Sequence, residues 1–168
     1  MTNYLKSILM TISIYISQSQ NIGVQKHNEY RYLHCASPLI ENKNLTDIAQ
    51  LHANYLLKNN LFQHGHLYDY RGRRIGQNLY VVWNSVKNDS EIIKMAIKRW
   101  YKESNNYNYQ NSQYRQGTGH FTQLIWNSTN TVGIAISKGN NKHIVVADYF
   151  PPGNVNGKFK DNVFPLCK

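Results

Sequence analysis

The order of periodicities along the chain constrains its fold more than any other feature. Three stretches with helical spacing come first, and β-branched or aromatic runs fill most of the C-terminal half. Residues 21–34 place Val24, His27, Tyr30, Arg31 and His34 at intervals of three and four, which predicts a helix. Residues 44–58 predict a second, with Asn44 as cap, Asp47 completing a capping-box-like start, and Leu45, Ile48, Ala49, His52 and Leu56 on one face. Residues 90–107 predict a third, whose stripe is Ile93, Ala96, Ile97, Trp100 and Ser104, with Lys94, Lys98 and Lys102 on another face. Runs 78–83, 120–126, 132–137 and 143–149 predict strands, and Lys138-Gly-Asn-Asn-Lys142 predicts a hairpin turn between the last two. Helices first and strands mostly last point to an α+β fold, with helices covering an antiparallel sheet.

The rest of the composition sets limits on this picture. The chain has 168 residues without a repeat or linker, one domain's worth, and its 41% hydrophobic content excludes a disordered chain. Its only long apolar run, Ser7 to Ile16, follows Lys6 and precedes small Ser17 and Ser19, the pattern of a secretory signal cut before Gln20. Residues 1–19 are therefore expected to be a signal peptide and 20–168 a single domain. The sequons at Asn44, Asn88 and Asn127 then become candidate glycan sites. Nineteen Lys and Arg against nine Asp and Glu give a net charge of +10, read either as ordinary solvated faces or as attraction to anionic lipid headgroups or sulfated glycans. Arg71, Arg73 and Arg74 form the one dense basic cluster, and no recognition module points to nucleic acid. Cys35 and Cys167 are either a disulfide joining the two ends of the domain or two separate thiols.

Several polar residues could carry chemistry. Helical spacing turns Glu103 toward the apolar face of the third helix, where a carboxylate needs partners. Arg99, four residues back, is one candidate; histidines are the other. Read as a strand, His120 shares a face with Thr122, Leu124 and Trp126, while His64 and His66 lie in the segment leaving the second helix. Two imidazoles and a carboxylate can hold a divalent metal, zinc first; the same residues can equally be hydrogen-bonded structural groups. No Ser-His-Asp, Cys-His or HExxH arrangement is found.

Four blocks, His27-Asn-Glu-Tyr-Arg31, Gly76-Gln-Asn-Leu79, Gly119-His-Phe-Thr-Gln-Leu-Ile-Trp-Asn-Ser-Thr129 and Tyr149-Phe-Pro-Pro-Gly-Asn154, resemble in order and spacing those of the CAP superfamily. That superfamily groups cysteine-rich secretory proteins, venom antigen 5 and plant pathogenesis-related proteins. Few cysteines, basic charge and the ending Gly157 to Pro165 resemble its Golgi-associated plant pathogenesis-related branch. The resemblance implies an α-β-α sandwich, with helices enclosing a central antiparallel sheet. It also implies a cleft with two histidines and two acids, here His120, Glu103 and His64, with Gln77 where the family has Glu. Counting forward from the second helix selects His64; counting back from Gly76 selects His66. His64 and His120 could still hold zinc or another divalent metal, but without the Glu a water-activating base is missing. The loop Tyr107-x-Tyr109-x4-Tyr114 is similar to the sterol-admitting loop of secreted yeast relatives; its tyrosines could equally anchor the loop to the core. The resemblance thus implies non-enzymatic binding of a sterol or fatty-acid-like lipid at an anionic membrane surface, by a secreted or else Golgi-associated protein. A metal-dependent hydrolase and an extracellular signalling or host-interaction protein are the alternatives, and the nearest branch implies a possible homodimer.

Overall fold

A helix over residues 22–33 (α1) opens the structure, a computed structural model that describes residues 22–65, 69 and 71–167. The expected signal segment 1–19 and His66 lie outside the described residues. After α1 come β1 (Ile40–Glu41), α2 (Lys43–Lys58), β2 (Gly76–Trp83), α3 (Asp89–Lys102), two 3₁₀ turns (Glu103–Asn106 and Tyr109–Asn111), α4 (Gly119–Ile125), β3 (Thr131–Gly139) and β4 (Lys142–Phe150). The sheet order is β1-β3-β4-β2. β3–β4 and β4–β2 are antiparallel, but the two-residue β1 runs parallel to β3. The sheet is therefore mixed, and the expectation of a wholly antiparallel one holds only for its three long strands. Asn140 and Asn141, both at positive φ, close the β3–β4 hairpin as a two-residue turn.

The pleat sorts the strand residues onto two cores. Leu79, Ala135, Ile144 and Val146 pack under Ala49, Ala53 and Leu56 of α2. On the other face Val132, Ile134, Val145, Ala147 and Tyr149 meet Ile93, Ile97 and Trp100 of α3 and Phe121, Leu124 and Ile125 of α4. The result is an α-β-α sandwich. Helix α2 lies close to the sheet because Gly133 has no side chain: a Cβ there would sit 2.0 Å from the Thr46 amide nitrogen.

Local chemistry moves some boundaries. Asn42, not Asn44, caps α2, its side chain accepting from the Asn44 and Leu45 amides. Asp47 instead pairs with Lys43. Helix α3 starts with a full capping box between Asn88 and Glu91 and ends at Lys102, five residues before the expected Tyr107. The expected strand 120–126 is helix α4. Its residues from Phe121 to Ile125 are all buried, polar Thr122 and Gln123 included; Phe121, Leu124 and Ile125 recur at helical spacing, in a run too short for period alone to separate helix from strand.

Two tethers hold these layers together. Arg31 is buried in α1 and donates to the carbonyls of Ser37 (2.7 Å), Leu124, Trp126 and Thr129 (2.9 Å each). Burial lowers its guanidinium to about 10, still charged at neutral pH, at the C-terminal end of α4 where a cation is favoured. Cys35 is bonded to Cys167, joining the end of α1 to the last described residue. Replacing both cysteines by alanine should cost about 2–4 kcal/mol, read as a lower melting temperature; an unchanged one would show that the ends are held without the bridge.

Candidate functional site

Consecutive residues at the start of β2 organise the cleft. Gln77 points to the α2 side of the sheet and Asn78 to the other, so one short stretch holds two groups. On the first side, His64 Nδ1 lies 3.1 Å and the Gly65 amide nitrogen 3.2 Å from Gln77 Oε1. On the second, the Asn78 amide donates to the His120 carbonyl (3.0 Å) and to the Tyr149 hydroxyl (3.2 Å). The four expected cleft residues thus come together as two pairs, His64 with Gln77 and His120 with Glu103.

The second pair explains why α4 is a helix. Thr118 makes no side-chain cap, and Glu103, from the turn after α3, takes that role. One carboxylate oxygen accepts from the His120 and Phe121 amides (2.9 and 3.3 Å), and the other faces His120 Nδ1 at 2.7 Å. A carboxylate only accepts, so in the neutral ring Nδ1 carries the proton and Nε2 a lone pair. The imidazole also stacks on Trp100.

The sequence blocks converge here for packing reasons. Gln123 of α4 accepts from the Gly153 amide (2.8 Å), and a Cβ on Gly76 would sit 2.0 Å from its Oε1. Both neighbours must be glycine for Gln123 to fit. Asn154 holds α4 through the Thr122 hydroxyl and the Gly119 carbonyl. Behind them, buried His27 donates from Nδ1 to the Gly23 carbonyl and accepts the Tyr149 hydroxyl at Nε2 (2.7 Å); burial pushes its pKa down to about 4.

Sequence reasoning missed Asp148. It is fully buried on β4, directly across from Gln77, whose amide donates to Oδ1 at 2.9 Å. Oδ2 is buried with no hydrogen-bond partner among the described residues. Burial raises the carboxyl to about 7, with the Gln77 amide pulling the other way. The available signal was an acid at period two with Val146 and Ile144, on the apolar face of an otherwise aliphatic strand.

These donors do not build a closed metal site. Both Glu103 oxygens and Gln77 Oε1 are already engaged, leaving two imidazole nitrogens where structural zinc takes four ligands. Among the described residues no three His, Cys, Asp or Glu side chains gather to hold a metal.

The tyrosine loop divides by depth. Tyr107 is 7% exposed and packs edge-on against Phe121 and Tyr109, so it is an anchor rather than an open face. Tyr109 is half-buried, and burial pushes its phenol up to about 12. Tyr114 is 56% exposed and lies over the start of α4, its ring 3.4 Å from where a Gly119 Cβ would be. An open depression of about 720 Å³ is lined by Tyr107, Tyr109, Arg115 and the amides of residues 105, 106, 108, 110 and 116; Tyr114 is not among its lining residues. Lys94, Lys98 and Lys102 are exposed along α3, which leads into this loop. In the other basic cluster, Arg73 is paired with Asp69 (2.7 Å) and lies over the Phe150 ring.

Comparison with known proteins agrees with this architecture. Residues 24–149 match the profile of the CAP, or cysteine-rich secretory protein, family. The chain is 38% identical over 154 residues to the human Golgi-associated plant pathogenesis-related protein 1, spanning 90% of this chain and 96% of that protein. It is 31% identical over 148 residues to Protein PRY2 of Saccharomyces cerevisiae, spanning 86% of this chain and 40% of that one. Among solved structures, the crystal structure of NaASP2 with Zn2+ matches with a TM-score of 0.71 at 21% identity, over 87% of this chain and 84% of that one. The last likeness concerns the fold alone.

Proposed function

The chain belongs to the CAP, or cysteine-rich secretory protein, family, and from that premise we propose that it is a non-enzymatic binder of a sterol or another small lipid. The observation that carries this reading is the open depression of about 720 Å³ beside Tyr109, within the size range of small-molecule sites. A flat ring system would lie on Tyr109, its polar end would meet Arg115 and the loop amides, and exposed Tyr114, next to Arg115 in sequence, would close over it. The exposed lysines of α3 and Arg115 would draw the loop to anionic lipid at about 1 kcal/mol for each cation near the surface. Secretion or Golgi residence is part of the same proposal, and the Cys35–Cys167 bond is consistent with an oxidising compartment. No helix among the described residues is long and apolar enough to cross a membrane.

The non-enzymatic reading is supported by the way the cleft is committed. Glu103 is engaged in capping α4, and position 77 is an amide that cannot take a proton from water. The loop is tested by titrating a fluorescent sterol into wild type and a Tyr109→Ala, Tyr114→Ala double variant. Tyr107 is left intact because it supports Phe121. The double variant should bind at least about tenfold more weakly, since two aromatic contacts each contribute on the order of 1 kcal/mol. Equal affinity would remove the loop from the proposal.

A further inference from the structure

We propose that Gln77 and Asp148 act together as a positioning relay that fixes His64 in its Nδ1–H tautomer and leaves its Nε2 as a lone pair. The buried carboxylate of β4 would thereby do for His64, through Gln77, what Glu103 does directly for His120.

The polarity of the relay is set by one donor that cannot reverse. The Gly65 backbone N–H can only donate, and its partner is the side-chain oxygen of Gln77, 3.2 Å away. That contact settles which end of the Gln77 amide is which. The NH2 group then faces Asp148 Oδ1 at 2.9 Å, where a carboxylate oxygen accepts it. His64 Nδ1 lies against the same Gln77 oxygen at 3.1 Å, so it must be the protonated nitrogen. Turning the amide over would set its NH2 against the Gly65 N–H and its oxygen against the Asp148 oxygen, two repulsive contacts.

The relay is held on both sides. Gln77 and Asp148 are direct cross-strand partners in the β2–β4 ladder, so their spacing is set by backbone hydrogen bonds. The segment carrying His64 is fixed before and after the histidine. His52 Nε2 bonds the Gln63 carbonyl at 3.1 Å, and Gly65 lies so close to the His52 ring that a Cβ would be 2.5 Å from it. His64 itself is exposed, so its remaining nitrogen is open to solvent and ligands. Asp148 lies beneath α2, where Gly133 of β3 and Thr46 bring no charge, and on the β2 side its hydrogen-bond partner among the described residues is the neutral Gln77. Among the described residues the hydrogen bond that this carboxylate makes is the one it accepts from the Gln77 amide.

Long-range 1H–15N correlation of the histidine rings at about pH 8 tests this in the full chain. Wild type should show a pyrrole-like Nδ1 and a pyridine-like Nε2 for both His64 and His120. Gln77→Leu and Asp148→Leu should each shift His64 to a mixture of tautomers, while His120, held by Glu103, stays unchanged and reports that the fold is intact. Gln77→Glu restores an acceptor beside Nδ1 and should restore the wild-type His64 pattern. An Nε2–H ring or a mixture at His64 in wild type would overturn the relay. So would an unchanged His64 in the Asp148→Leu variant.

Discussion

Replacing Arg31 by methionine is expected to remove about 3–5 kcal/mol of stability, a large share of what a domain of this size possesses. The methylenes of methionine can fill the space of the arginine stem, so packing is not the main loss. The loss comes from the carbonyls of Ser37, Leu124, Trp126 and Thr129, which all accept from one guanidinium. Each belongs to the backbone and stays in place when the donor goes, and a buried acceptor without a partner costs about 1–3 kcal/mol. Arg31→Lys should recover only part of the loss, because an ammonium lacks the planar fork that spans four acceptors. Urea unfolding of the three proteins reads this directly. A loss below about 1 kcal/mol in the methionine variant would mean that α4 closes on its own.

Asp148→Asn should make the protein more stable at pH 8, by up to about 4 kcal/mol, and should change the shape of its pH profile. Burial raises the Asp148 carboxyl from its ordinary 3.8 to about 7, and each unit is worth about 1.4 kcal/mol. The folded state therefore prefers the protonated acid. That preference contributes fully below pH 4 and is lost as pH rises through 7. His27 runs the other way. Burial depresses it from 6.5 to about 4, so its contribution is present above 6.5 and is lost as pH falls through 4. In wild type the two slopes oppose each other between pH 4 and 7. The asparagine variant removes one of them, leaving a protein that loses stability steadily on acidification below about 6.5. Denaturant midpoints at pH 4, 6 and 8 give the result; parallel profiles for wild type and variant would contradict the burial of Asp148 as a charge.

What could be read from the residues depended on whether the governing partner was near in sequence. The stripes of α2 and α3 and the Asn-Asn turn of the β3–β4 hairpin are local patterns, and they were legible. Helix α4 was not, because the seven-residue segment is short, its buried positions include polar Thr122 and Gln123 as well as Phe121, Leu124 and Ile125, and the deciding contact is Glu103, seventeen residues from His120. The cap of α2 slipped by two positions because Asn42 and Asn44 are equally good cap residues, and only the backbone shows which amides face which oxygen. At the cleft, Gln77 read as a lost carboxylate. A carboxylate is in fact present across the ladder at Asp148, and strand register is not visible in either strand alone. Tyr107 matched a motif for an exposed ring but is used as an anchor, since its contacts to Phe121 and Tyr109 are tertiary. His64 lies against Gln77, a contact set by the path of the chain after α2, while His66 is outside the described residues.

The central claim is that the depression lined by Tyr107, Tyr109 and Arg115 holds a lipid, and native mass spectrometry tests it most directly. The protein would be purified from a eukaryotic secretion host and exchanged against sterol-containing vesicles. The account predicts a one-to-one adduct of sterol mass on wild type that is lost in the Tyr109→Ala, Tyr114→Ala variant. A wild-type protein that stays free of lipid after exchange, or a variant that carries the same adduct, would contradict it.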